Sequence, residues 1–257
     1  MEGYKRWAGR VALVTGASGG IGEGIARALV GIGMKVAVVA RRRKRLEALA
    51  ADCAASTAGG GQMLVCAGDV GKEADVIAIF KSIEQQLGTV DVLINNAGTG
   101  MMSTLENGLW QDWCDTLNIN VAAPALCVRE ALRGMHDKAE AQIINLSSIY
   151  GHHNQVPNFS FYQASKFAVR ALTDTLRAEL AARNGGTRIR VGMISPGLVA
   201  TEFRGRASGG KFSYESYFEH YPPLLPSDIA DAVLYMLSTP PHVQVQDILL
   251  SPMGQAL

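Results

Sequence analysis

The sequence predicts a single α/β domain, doubly wound, with a seven-stranded parallel sheet and helices on both faces. Three observations carry that expectation. Short apolar runs alternate with longer stretches of helical composition along the whole chain. A glycine-rich turn joins the first apolar run to the first helical stretch. No linker, internal repeat or second domain divides the 257 residues, so the domain is residues 1–257. In such a sheet a ligand binds at the carboxyl ends of the strands, at the topological switch point.

The first strand is Val11–Thr15, whose apolar run reads as a buried parallel strand. The turn that follows is Thr15-Gly16-Ala17-Ser18-Gly19-Gly20-Ile21-Gly22, and Ile25–Val30 has the composition of a helix. Strand, glycine turn and helix in that order form the context of a dinucleotide fingerprint, which makes this a Rossmann fold. Gly16 permits the tight turn, Gly20 lets a pyrophosphate approach the backbone, and Gly22 lets the helix pack on the sheet. The helix N-terminus offers free N–H groups and its positive dipole end to phosphates.

Further strands are expected at Lys35–Ala40, Met63–Ala67, Val90–Asn95, Gln142–Ser147, Arg188–Ile194 and Gln246–Leu250. Helices are expected at Arg45–Ala55, Ala74–Leu87, Gln111–Met135, Tyr162–Arg183 and Ser227–Ser238. Ser56–Gly61 is a flexible connection within the domain. Pro124 either kinks its helix or stands at the start of one. Ser227-Asp228, after Pro226, reads as a helix cap.

The end of the second strand selects the cofactor. An acid there binds the ribose hydroxyls of NAD. Here the chain has Ala40 followed by Arg41 and Arg42, and an arginine fork matches phosphate oxygens. Cations at a helix N-terminus oppose its dipole, and a bound anion relieves that repulsion. Arg41, assisted by Arg42, is therefore expected to bind the 2′-phosphate of NADP(H), with Arg43, Lys44 and Arg45 a solvated start to the next helix.

Tyr162 and Lys166 stand one helical turn apart and share a helix face. A phenol of pKa about 10 is a poor acid–base group at neutral pH. A neighbouring ammonium favours the phenolate, so Lys166 is expected to lower the pKa of Tyr162 and suit the pair to moving a proton on and off an alcohol oxygen.

Bulk properties exclude several classes. A net charge of +1 gives no field for a nucleic-acid partner. Cys53, Cys66, Cys114 and Cys127 have neither paired nor zinc spacing, so no metal is expected and a reducing, cytoplasmic location is the default. The start of the chain has no apolar signal core, and no run is long enough for a membrane span.

Together these motifs resemble the short-chain dehydrogenase/reductase family across essentially the whole chain. Gly16, Gly20 and Gly22 match its glycine motif; Asn95-Asn96-Ala97-Gly98 matches its structural stretch; Tyr162 and Lys166 match its Tyr-x-x-x-Lys. The resemblance makes Asn120, Ser148, Tyr162 and Lys166 catalytic. Tyr162 is then the general acid in carbonyl reduction and Ser148 a donor to the substrate oxygen. Lys166 bonds the nicotinamide ribose, and Asn120 helps hold a water that links Lys166 to solvent. It assigns cofactor contacts to Gly16, Ser18, Gly20, Ile21, Gly22 and Asn96. It gives Asp69 and Val70 to the adenine, although an aspartate at a strand end also serves as a helix cap. Pro196, Gly197, Val199 and Thr201 fall to the nicotinamide end. Ser148 lies one residue further from Tyr162 than is commonest in the family, and Ser147 is the alternative. His152 and His153 are expected in solvated or hydrogen-bonded roles.

Residues 201–225 are expected to cover the substrate as a lid with hinges at Gly205, Gly209 and Gly210. Phe203, Phe212, Tyr214, Tyr217, Phe218 and Tyr221 within it either line a lipophilic pocket or pack against the lid's own helices. Residues 237–248 resemble a subgroup holding insect farnesol dehydrogenase-like proteins and a vertebrate cytosolic hydroxysteroid/carbonyl reductase. That resemblance implies NADP(H)-dependent interconversion of a lipophilic alcohol and its carbonyl, a prenol or a hydroxysteroid, by a homodimer or homotetramer. A broad carbonyl reductase and a non-catalytic NADPH-binding sensor are the alternatives.

Overall fold

A computed structural model of the chain describes residues 3–56, 60–153, 157–183, 187–211 and 222–255. Seven parallel strands lie in the order β3-β2-β1-β4-β5-β6-β7. They are β1 (Val11–Thr15), β2 (Lys35–Ala40), β3 (Gln62–Ala67), β4 (Val92–Asn95), β5 (Ala141–Leu146), β6 (Ile189–Pro196) and β7 (Asp247–Leu250). The order reverses between β1 and β4, the switch point where a ligand is expected. β4 begins two residues later than expected; just before it Asp91 turns its carboxylate onto the Val11 N–H at 2.9 Å and onto Lys138 at 3.0 Å.

Period-2 alternation divides the sheet between two cores. Ala12, Val14, Val36 and Val38 face α1 (Gly20–Gly31), α2 (Arg43–Ser56) and α8 (Pro226–Ser238). Val11, Leu13, Ala37 and Val39 face α3 (Glu73–Gln86), α5 (Ala123–Met135) and α6 (Ser160–Ala181). Trp7, fully buried, ends a short 3-10 turn at Gly3–Trp7 and donates its indole N–H to the Leu237 carbonyl at 2.9 Å. It fastens the start of the chain to the end of α8. Asp228 accepts from the Leu225 N–H at 2.7 Å, so the cap of α8 comes from its third residue. Among the described residues no helix is long and apolar enough to cross a membrane.

The single helix expected over Gln111–Met135 is two. α4 (Trp110–Leu117) passes through a π-helical turn, Asn118–Ala122, into α5. Pro124 is the cause: it has no N–H to bond the carbonyl four residues back, and the wider turn, closed by the Ala123 N–H on the Asn118 carbonyl, avoids the mismatch. α6 begins at Ser160 rather than Tyr162, and a short helix, α7 (Phe203–Ala207), follows β6. The aromatics expected in a lid, Phe212, Tyr214, Tyr217, Phe218 and Tyr221, lie outside the described residues.

Candidate active site

A cavity of about 690 Å³ opens along the carboxyl ends of the strands. All the residues expected to act there line it except Gly22 and Asn120, which stand one layer behind.

At one end lies the glycine turn. Gly16 has φ +69° and lies against the strand that crosses it: a Cβ there would come 2.8 Å from the Ala97 Cα. Gly20, with φ +57°, opens α1; a Cβ on it would meet Thr201 Cγ2 at 2.9 Å. A side chain on Gly22 would strike Asn96 and the Gly16 carbonyl, so this glycine lets α1 pack closely on the carboxyl ends of β1 and β4. Asn96 braces the turn, its amide donating to the Thr15 carbonyl at 2.8 Å. Thr15 Oγ1 in turn accepts from the Asn96 and Ala97 N–H groups, each at 3.0 Å. No side chain caps α1, and its first N–H groups face the cavity that Gly20 and Ile21 line. Glycines whose Cβ positions are already filled, at a helix start with free donors, fit a pyrophosphate.

Both arginines expected at the phosphate line the cavity. Arg41 is exposed on the cavity rim. Arg42 reaches the turn, donating Nε to Ser18 Oγ and Nη2 to the Ser18 carbonyl, both at 3.0 Å. Arg45, at the solvated start of α2, pairs with Glu202 at 2.8 Å. Arg42, just before α2, and Arg45, in its first turn, meet on Glu202, a partner too far along the chain to be inferred from the sequence. Arg43 does pair along its own helix with Glu47, at 3.7 Å. Asp69 lines the cavity; one carboxylate oxygen accepts from the Gly71 N–H at 3.0 Å, and it does not cap α3.

At the other end Ser148, whose hydroxyl donates to the Pro196 carbonyl at 3.4 Å, stands beside the Tyr162 phenol. Ser147 instead donates to the Lys166 carbonyl at 3.2 Å. Ser148 also accepts from the Tyr150 N–H at 3.2 Å, which holds its loop. Lys166 is buried, with Nζ 2.8 Å from the Leu146 carbonyl and 5.5 Å from the Tyr162 ring centre. The expectation that Lys166 lowers the Tyr162 pKa does not hold. Burial raises it, outweighing the opposing influence of Ser148 and the charge of Arg204. Burial also lowers Lys166, to about 8, which weakens the very charge that was to act on the phenol.

Asn120 is fully committed: Oδ1 accepts from the Thr99 N–H and Nδ2 donates to the Thr99 carbonyl, both at 2.8 Å, with Ser165 Oγ at 2.9 Å. Gly98 lies near both Asn120 and Lys166: a Cβ there would be 3.5 Å from Asn120 Oδ1 and 3.9 Å from Lys166 Nζ. Gly197 has its own reason to be glycine, since a Cβ would meet Ser251 Cβ at 3.0 Å and the Gln255 side chain. Gln255 accepts from the Leu198 N–H at 2.9 Å and lines the cavity, a contact with no sequence signal. Thr201 and Val199 complete this wall. His152 contacts Ser195 Oγ at 3.1 Å, Asp247 at 3.0 Å and Arg170 at 3.2 Å, a hydrogen-bonded role beside the site.

Aromatic rings surround Tyr162: Phe203 at 5.2 Å, Phe159 at 5.6 Å and Tyr150 at 6.2 Å between ring centres. Arg204 is the polar exception, 3.2 Å from the Tyr150 hydroxyl.

The short chain dehydrogenase family matches residues 10–210. The chain belongs to the short-chain dehydrogenases. It is 44% identical to mouse dehydrogenase/reductase SDR family member 11 over 98% of both chains. It is 42% identical to the farnesol dehydrogenase of Aedes aegypti, covering 97% of this chain and 98% of that one. A closed serine dehydrogenase complexed with NADP+ superposes with a TM-score of 0.85 at 29% identity over 96% of each chain. An alcohol dehydrogenase of Thermococcus sibiricus complexed with 5-hydroxy-NADP gives 0.82 at 29%, over 96% of this chain and 98% of that one. As a short-chain dehydrogenase, this protein is an oxidoreductase of CH–OH groups.

Proposed function

We propose that this short-chain dehydrogenase is NADP(H)-dependent and interconverts a lipophilic alcohol and its carbonyl. One observation carries the reading. A single cavity has arginine donors on the glycine turn at one end and the Tyr162–Ser148 hydroxyl pair beside buried Lys166 at the other. In this assignment Gly16, Gly20, Ile21 and the first turn of α1 hold the pyrophosphate. Arg42, Arg41 and Ser18 hold the 2′-phosphate, Asp69 and Val70 the adenine, and Pro196, Gly197, Val199 and Thr201 the nicotinamide end.

The nicotinamide, when bound, supplies or accepts the hydride. The protein handles the proton. Tyr162, kept protonated by burial, donates to the carbonyl oxygen during reduction; in oxidation it accepts the alcohol proton as the phenolate, after its own proton has left by way of Lys166. Ser148 donates a second hydrogen bond to the same oxygen. Lys166 holds the ribose and relays protons between Tyr162 and solvent, on the side where it and Asn120 both approach Gly98. The aromatic wall excludes water and favours an apolar substrate. The farnesol dehydrogenase relative agrees with that class.

Arg204 supports a second reading, a substrate bearing a carboxylate near its carbonyl. Oxidation of NADPH and of NADH, followed by absorbance across farnesal, ketosteroids, dicarbonyls and 2-oxo or 3-oxo acids, separates the two. Turnover of an uncharged lipophilic carbonyl, with NADPH well above NADH, is expected. Turnover confined to the acids would replace the lipophilic reading with the second.

A further inference from the structure

Glu202 lies just before α7, between Thr201, which touches Gly20, and Phe203, which packs on Tyr162. Its two carboxylate oxygens are taken by two different arginines: Oε1 by Arg45 at 2.8 Å and Oε2 by Arg42 at 3.2 Å. Arg42 is fixed at the same time by its two bonds to Ser18, so its remaining nitrogen has one direction to point, towards Glu202. Hydrogen bonds from Arg45 and Arg42 hold the Glu202 carboxyl below the usual carboxylate range. Cations crowd this corner. The pKa of Arg206 is lowered by desolvation and then by repulsion from Arg42, while Glu202 acts in the opposite sense and Arg45 and Arg41 add to the repulsion. Glu202 is thus a carboxylate set among several arginines, bonded as a phosphate oxygen pair would be.

We propose that Glu202 is a resident competitor for the 2′-phosphate of the cofactor, a specificity-determining residue that must leave Arg42 and Arg45 before the phosphate binds them. The inference rests on the NADP(H) reading above. A dianionic phosphate and a carboxylate on the same two guanidinium groups repel each other, so one displaces the other. The pairs are solvent-exposed, so the competition is modest and weakens with salt.

The test is calorimetric titration of the whole protein with 2′,5′-ADP and with 5′-AMP, which differ by the 2′-phosphate alone, for wild type and Glu202→Gln. Glu202→Gln is expected to bind 2′,5′-ADP about three- to tenfold tighter at low salt and AMP unchanged. Unchanged or weaker 2′,5′-ADP binding by the variant, with a wild type that still prefers 2′,5′-ADP to AMP, overturns the competitor role and leaves the NADP(H) reading standing. A wild type that binds both nucleotides equally overturns that reading and the inference with it.

Discussion

At the scale of single residues, burial governs the chemistry of the site. It moves Tyr162 and Lys166 in opposite senses, and both shifts favour the neutral form. The consequence is measurable without substrate. Folded Lys166 loses its proton near about pH 8, against an ordinary value of 10.5. Between those values the unfolded chain binds more protons, so the Lys166 contribution to stability rises with pH. Tyr162 acts in the opposite sense, but only above its ordinary value of 10.0. The urea midpoint of wild type relative to Lys166→Met should therefore climb between about pH 8 and pH 10. A flat difference would show that Lys166 is not desolvated. The sequence placed Tyr162 and Lys166 on one face but had no means of weighing desolvation against charge, and that is why the direction of the phenol shift was misjudged.

At the scale of elements, local irregularities place the side chains that matter. The π-turn at Asn118–Ala122 holds Asn120 on the Thr99 backbone behind the cavity. Its sequence signal was Pro124, visible as a break in a helical stretch but ambiguous as to kink or start. The strands and the glycine turn were legible because apolar runs and required glycines are local features. The boundaries of β4 and α6 were not, since Asp91 and Ser160 are set by partners elsewhere in the chain. Trp7 illustrates the same limit. Nothing near it in sequence announces a core residue, yet it is buried against α8 with its indole N–H on the Leu237 carbonyl. Trp7→Ala should lower unfolding free energy by about 3–5 kcal/mol by urea denaturation. Turnover per folded molecule should be unchanged, because the residue is remote from the cavity. A loss under about 1 kcal/mol would mean that this fastening contributes little to stability.

At the scale of the molecule, two cores on one parallel sheet leave a separate apolar surface on α4 to α6. Leu117, Phe167 and Leu172 are each about 40% exposed there. A groove of about 300 Å³ runs between α5 and α6, lined by Val128, Leu132 and Leu172 among others. We propose that a second copy of the chain covers this face, as the family resemblance implies. Light scattering coupled to size exclusion should find a homo-oligomer, and Leu172→Glu should dissociate it. A monomeric wild type would remove the proposal.

The central claim is that the Tyr162 hydroxyl moves the proton in a cavity that holds NADPH independently of it. Turnover and NADPH affinity of Tyr162→Phe, measured side by side, test it most directly. The account predicts NADPH binding within about threefold of wild type and turnover reduced by about 10²–10⁴-fold. A variant that binds NADPH normally and keeps near-normal turnover would contradict it.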